Sequence, residues 1–452
     1  MHSWTSDRVA ALAPDSASAA AGQSLANVRK WPALGRSDRA IWGLCQGSGR
    51  QPYQARVDLA EAAFKCSCPS RKFPCKHGLG LLFLFAKNAE AFPVGNEPDW
   101  VADWMAERAA RATRKTEQVK TAVEKPVDLE SQARRAAQRE ARVRDGVAGC
   151  RVWLDDLVRR GLAAAQSDPA ADWERAANRL VDAQAPGLAS FIRRIPMMMA
   201  SGPGWDTRTV DLLGRLYLLL RAAERLDELP ADLAVDVRTA LGWTQAREDA
   251  LASTGVADRW TAVGQVIEEE ERFRAVRTWL VGRDTGRRAL ILEFAAGSQP
   301  LDRSLVAGSS FDGELAFYPS RQPLRALLKS RSETLPIDPS LAQVADATIE
   351  SGLLKYAETL ASNPWTFRWP VVLAGARPVL DGSRWFLVDA HDHGLPLRPA
   401  FARSLQLWRL VSARAGSPMT VVVEWDGISA LPISAFSEPS QEYVDLTARW
   451  AA

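Results

Sequence analysis

The stretch Ala63-Phe64-Lys65-Cys66-Ser67-Cys68-Pro69-Ser70-Arg71-Lys72-Phe73-Pro74-Cys75-Lys76-His77-Gly78-Leu79 decides how this chain is read. It gathers Cys66-x-Cys68 and, six residues later, Cys75-x-His77. Three thiolates and one imidazole suit a single zinc ion, which accepts a tetrahedral set at about 2.3 Å to sulfur and about 2.0 Å to nitrogen. A C-x-C pair at a strand end sends both side chains the same way, because residues i and i+2 share a face. Leu79, Leu82, Phe83 and Phe85 recur at helical spacing, so a helix is expected from Cys75 onward. The partly positive start of that helix favours the bound thiolate, and Lys65, Lys72 and Lys76 offset further negative charge. Four protein ligands close the coordination sphere to water and substrate, so the expected site is structural. Three buried cysteines and a chance histidine would explain neither the spacing nor the helix behind it.

Upstream, Ile41-Trp42-Gly43-Leu44-Cys45 reads as a strand and Gly47-Ser48-Gly49 as a turn. Tyr53 to Leu59 alternates with period two, as a half-buried strand does. Ala63 to Cys68 reads as a further strand, and Pro69 and Pro74 bracket a polar loop. The β-β-α unit spans about residues 50–88. Cys45 is a possible extra donor, but a small apolar residue on a strand is the simpler reading. Cys150 follows Gly149 on a helical pattern and reads as core.

With its apolar helix behind Cys75-Lys76-His77-Gly78-Leu79, this unit resembles the SWIM zinc finger, and the chain resembles bacterial SWIM-finger proteins without a helicase portion. The resemblance covers about residues 50–88. It implies a β-β-α finger used for DNA binding or protein–protein contact, and a MoxR-type ATPase as a possible partner.

The 452 residues imply two or three domains. With 47% hydrophobic and 25% charged residues, the chain has ample material for a core without help from a metal. A formal charge of +3 argues against a generally basic coat for nucleic acid. No apolar stretch approaches the roughly 20 residues of a membrane span, and Met1-His2-Ser3-Trp4 opens no secretory signal. Five cysteines, three of them clustered with a histidine, suit a reducing cytoplasm better than a disulfide framework. The 17 tryptophans read mainly as packing.

The expected architecture is a multidomain α+β protein in three parts. Residues 1–100 hold an Ala/Ser-rich start (Ala10 to Ser24), a short amphipathic helix over Ser24 to Trp31, and the finger. Residues 101–275 form an all-α middle with a linker near 112–128, carrying Val152, Trp153, Leu157 and Leu162, then Leu212, Leu213, Leu216, Leu220 and Leu226 at helical spacing. Glu268 to Glu271 reads there as a solvated helix face. Residues 276–452 form a mixed α/β domain. A hairpin is expected from 275–281 and 289–294, with strands at 315–318, 385–388 and 420–425. Asp312-Gly313 and Asp426-Gly427 are expected as turns. No fixed-period repeat is visible.

Weaker signals are weighed against plainer readings. Arg36, Arg39, Arg50, Arg56, Arg71, Lys72 and Lys76 beside Trp42, Tyr53 and Phe73 offer phosphate contacts and stacking, or simply a solvated surface. Arg134, Arg135, Arg139, Arg142 and Arg144, interrupted by Glu140 and Asp145, read as a solvated helix face. Asp389-Ala390-His391-Asp392-His393 reads as a polar loop rather than a second metal site. Met197-Met198-Met199 reads as core or a helix start. There is no Walker A loop, G-x-G-x-x-G, G-x-S-x-G or H-E-x-x-H, so no catalytic residue is assigned and no enzyme is expected. Three functions stay open: a cytoplasmic adaptor for proteins, a nucleic-acid binder acting through the finger, and an enzyme of unrecognised type in the C-terminal region.

Overall fold

The structure is a computed structural model that describes residues 4–13, 16–46, 51–60, 62–70, 72–109, 129–269, 273–296, 305–413, 415–437, 442–447 and 449–451. The expected turn at 47–49 and the whole of the expected linker lie outside these residues, as do Arg50 and Arg71.

The first unit opens with helices α1 (Ser6–Ala11) and α2 (Ser16–Ser24). Strands β1 (Ala33–Arg36), β2 (Ala40–Cys45), β3 (Tyr53–Asp58) and β4 (Ala63–Cys66) follow as an antiparallel meander in chain order. Alternation along the strands gives the sheet two covered faces. Ile41, Cys45, Ala55, Val57 and Phe64 join the core under helix α3 (Lys76–Lys87). On the opposite face Ala40 and Trp42 meet Val101 of helix α4 (residues 99–109). The expected helix over Ser24–Trp31 is corrected. Helix α2 ends at Ser24, and Asn27 Oδ1 accepts the Arg29 N–H to start a 3₁₀ turn, Val28–Lys30. An Asn side chain that satisfies the backbone locally competes with helix continuation.

The second unit is helical: α5 (Leu129–Arg160), α6 (Leu162–Ala165), α7 (Ala170–Asp182), α8 (Pro186–Met199), α9 (Trp205–Glu224), α10 (Ala231–Leu241) and α11 (Arg247–Ala252). Val143, Val147, Cys150, Leu154 and Leu157 form one buried stripe along α5. Their alternating steps of four and three residues are those of a helix packed lengthwise in a bundle. Leu188, Ile192 and Ile195 of α8 and Leu212, Leu216 and Leu220 of α9 complete that core. Met199 is buried in it while Met197 is exposed, and the three methionines end α8 instead of starting a helix.

The third unit begins at Val256, earlier than expected. Strands β5 (Val256–Glu269), β6 (Phe273–Gly282), β7 (Arg288–Ala296), β8 (Ser309–Phe317), β9 (Ala326–Arg331) and β10 (Leu335–Pro336) build one sheet, in the order β10-β8-β5-β6-β7 with β9 on β8. After helix α12 (Ile349–Ser362), strands β11 (Trp369–Asp381), β12 (Arg384–Val388) and β13 (Gly394–Pro396) enter a second sheet. Helices α13 (Pro399–Ala402) and α14 (Leu405–Ala413) precede β14 (Met419–Trp425), β15 (Ala430–Ser437) and β16 (Glu442–Asp445). That sheet runs β13-β12-β11-β14-β15-β16, while β17 (Arg449–Ala451) pairs parallel with β5 of the first.

Two expectations fail here. The acidic run is not a helix face: Val266 to Glu269 continues β5, pairing with Arg277 to Arg274 of β6, and residues 270–272 lie outside the described set. Val263, Val266 and Ile267 are buried, and a buried β-branched run overrides the helix preference of glutamate. Asp312-Gly313 is not a turn. It lies inside β8, where Asp312 faces Arg259 across the ladder at 2.7 Å. Asp426-Gly427 does turn the chain, with Asp426 accepting the Ile428 and Ser429 N–H groups.

Val263, Val266 and Trp279 of the first sheet pack against Val422, Leu431 and Ile433 of the second. A charged cluster is enclosed in this seam. Arg277 forks onto the fully buried Glu424 with two bonds of 3.1 Å, and Trp279 Nε1 donates to the same carboxylate at 2.9 Å. Arg277 also reaches Glu268 at 2.7 Å, and Arg368 joins Glu268 at 3.1 Å. Burial alone would raise the Glu424 carboxyl, but Arg277 and then Arg368 outweigh it and hold it below the usual range. Glu268 is lowered against burial in the same way, chiefly by its bond with Arg277.

Glu424→Leu leaves Arg277 short of a partner, and breaking a buried pair costs about 3–5 kcal/mol. Scanning calorimetry should show the C-terminal transition moved to lower temperature with the helical one unmoved. Because the carboxyls are depressed in the folded state, their contribution is present above about pH 4.3, the unfolded value, and disappears on acidification through the folded values. Wild type should therefore lose stability below about pH 4 more steeply than Glu424→Leu.

Candidate metal centre

Cys66 closes β4, Cys68 lies two residues beyond it, Cys75 is the N-cap of α3 and His77 stands in its first turn. Their ligand atoms all lie within 4.8 Å of one another, and Cys66 Sγ is 3.9 Å from His77 Nδ1. Bonds of about 2.3 and 2.0 Å at tetrahedral angles require separations of roughly 3.5–3.8 Å, so small contractions bring the set onto one ion. All four ligands named from the sequence are thus brought together, positioned to bind one zinc.

Electrostatics fit the metal. The Cys75 thiol, bonded by Cys66 and by the Gly78 backbone N–H, is drawn down to about 4, whereas that same bond and burial push Cys66 far up. Burial also raises Cys68, against a bond from the Ser70 backbone. Without a cation, the proton of one thiol must hold a neighbouring thiolate in place. A divalent ion replaces that proton and lets all three sulfurs ionise.

The scaffold fixes this geometry from behind. His77 to Phe85 of α3 is buried without interruption, so the helix is wrapped on every side rather than laid on a surface. Helix α2 crosses it at contact distance. A Cβ on Gly22 would lie 2.8 Å from Leu79 Cβ, and one on Gly80 would lie 2.7 Å from Leu25 Cβ. Trp31 Nε1 donates to Leu25 O at 2.9 Å and ties down the end of this crossing. The Tyr53 ring rests on His77 with centroids 4.8 Å apart.

The other residues considered from the sequence fall outside the centre. Cys45 is buried on β2 and does not join the cluster, and burial raises its thiol. Cys150 is buried in the bundle with its thiol pushed up to about 12. Asp389 accepts the N–H groups of Ile349, His391 and His393, so the Asp389–His393 stretch is a loop built around a buried carboxylate. Of the basic face considered from the sequence, Lys72 and Lys76 stay exposed, while two arginines are engaged within the unit. Arg56 is buried with its guanidinium 5.0 Å from the Trp100 ring and 5.8 Å from the Trp104 ring. Arg39 and Arg108 both turn to the buried Asp58, at 3.5 and 3.6 Å. Sequence reasoning missed this arrangement, although the alternation Arg56-Val57-Asp58 places both charges on one face. In α5, Arg139 lies over Trp243 and Arg144 pairs with Glu140. A cleft of about 420 Å³ beside the metal ligands is lined by Tyr53, Cys68, Ser70, Lys72 and Lys76, with Ala17 and Ala21 of α2 opposite.

Such a closed Cys₃His set on a β-to-α junction defines a structural zinc finger. Residues 56–84 match the family model of the SWIM zinc finger, and residues 138–241, from within α5 to the end of α10, match that of the SWIM-associated four-helix bundle domain. No helicase portion is matched. No curated protein and no solved structure matches the chain.

Purified protein should carry one zinc per chain by elemental analysis, and Cys68→Ser or His77→Ala should lose it. Metal binding and local folding are coupled, so amide exchange in α3 should rise while the bundle stays protected. Acidification should release the ion, because zinc binds the thiols only as thiolates. Gly80→Val keeps all four ligands yet wedges α2 from α3, and should weaken zinc retention against a chelator.

Proposed function

We propose that this chain is a non-enzymatic, zinc-braced adaptor that holds a protein partner in the cytoplasm. The observation that carries the proposal is an exposed apolar patch on the C-terminal domain. Trp408 of α14 is 60% exposed and Leu405, one turn earlier on the same helix, is 82% exposed. Trp385 of β12 meets Trp408 edge to face at 6.2 Å, and its cross-strand neighbour Leu380 is also exposed. Tryptophan held upright by a second tryptophan loses little freedom on binding, which is why such residues anchor protein interfaces. An exposed apolar patch of this kind marks a contact site. The finger contributes rigidity and an exposed Phe73 at its loop. The family resemblance suggests an ATPase of the MoxR type as the partner. A reducing compartment suits three clustered thiols, and among the described residues no helix is long and apolar enough to cross a membrane.

A second reading, nucleic-acid binding, is favoured by the cleft that sets Lys72 and Lys76 beside Tyr53. The burial of Arg56 under two tryptophan rings and the pairing of Arg39 and Arg108 with Asp58 weigh against it.

Affinity purification from the native host, followed by reconstitution from purified components, should yield a partner with wild type and lose it with Trp408→Ala. Removing one anchor tryptophan costs at least about 2 kcal/mol of binding, or roughly thirtyfold, with an unchanged melting profile. Steep loss of DNA affinity with rising salt, abolished by Lys72→Gln with Lys76→Gln, would instead establish the second reading.

A further inference from the structure

The bundle and the C-terminal domain meet along the segment from Asn363 to Arg368. Trp365 and Phe367 enter the bundle side, with Trp365 Nε1 donating to Arg215 O, while Arg368 turns back into the charged seam between the sheets. A cavity of about 360 Å³ lies at this meeting, within the size range of small-molecule sites. Five arginines line it: Arg194, Arg208, Arg215, Arg368 and Arg398.

Their partners are unequal. Arg398 pairs with Asp426 at 2.9 Å and Arg215 with Asp211 at 2.9 Å. Arg368 is neutralised by Glu268. Among the described residues Arg208 donates only to neutral oxygens, the Ser201 hydroxyl and the carbonyls of Ser201, Gly202 and Pro203. Among the described residues Arg194 makes no hydrogen bond and no close ion pair, and Asp426 and Glu268 act on it only at longer range. Its guanidinium lies over Phe367, 4.1 Å from the ring centroid. Burial, with Arg368 adding to it, draws Arg194 down to about 10. A guanidinium desolvated beside a second cation is costly unless an anion compensates it.

We propose that this cavity binds a phosphorylated small molecule, with its phosphate between Arg194 and Arg208 and its organic part against Phe367, Met198 and Ile428. Arginine presents a planar fork that matches two phosphate oxygens at once. The carboxylates on the lining are already engaged by arginines, so they do not repel the ligand as free acids would. Because the walls come from α8, α9 and the C-terminal domain, the ligand also bridges the two units. The site shares no residue with the exposed tryptophan patch, so its failure and that of the adaptor reading are separable.

Titration calorimetry on the full-length, zinc-loaded chain tests this with inorganic phosphate, pyrophosphate and ADP as probes. At least one should bind, in competition with sulfate. Arg194→Met, which keeps an unbranched apolar chain over Phe367, should weaken that binding at least tenfold. Arg194→Lys should recover part of it, since the charge returns without the fork, and Arg208→Gln should weaken it independently. Arg193→Gln, one residue away but paired with Glu174 on the surface, should bind as wild type does. No binding of any probe to wild type would overturn the proposal. So would equal affinity in wild type, Arg194→Met and Arg208→Gln, or binding of an acidic peptide alone.

Discussion

Three sulfurs and an imidazole nitrogen held within 4.8 Å of one another are the constraint from which the N-terminal unit follows. Like charges at that distance repel strongly once water is removed, and backbone bonds from Cys68, Ser70 and Gly78, with His77 on Cys75, relieve them in part. The zinc ion resolves the repulsion and at the same time fixes the end of β4 to the start of α3. Helix α3 needs that anchor. Its buried run from His77 to Phe85 contains no charged residue, so its orientation cannot be set by a polar outer face. The metal at one end and the crossing of α2 along its flank set it instead.

Around this junction, charge is used inwardly. Arg56 and Asp58 lie on the sheet face away from the finger helix, yet neither reaches solvent, because α4 closes over them with two tryptophan rings and Arg108. A guanidinium over an aromatic face retains favourable electrostatics while losing its hydration. The C-terminal domain repeats the tactic on a larger scale with Arg277, Arg368, Glu268 and Glu424. In both places a sequence count of basic residues overstates what the surface offers to an acidic partner.

The metal ligands, the finger strands and the all-α middle were legible from sequence because each rests on local spacing. Cys66 to His77 lie within one β-to-α turn, and the stripe from Val143 to Leu157 reports its own helix. Misreadings arose where the deciding partner was distant in the chain. Glu268 looks like a helix residue until Arg277 and Arg368 are placed around it, and Asp312-Gly313 looks like a turn until Arg259 is set across the ladder. Arg56 looks like a surface cation until Trp100 and Trp104, more than forty residues on, cover it. The bundle's identity as a defined domain was also hidden, since helical periodicity shows that helices pack but not which arrangement they adopt.

The short run from Trp365 to Arg368 couples two bodies through adjacent residues. Trp365 and Phe367 are wedged among bundle helices, while the very next side chain is pinned by acids in the sheet seam. Such a joint has little slack. Any tilt of the bundle would bear first on Arg368 and the acids that hold it.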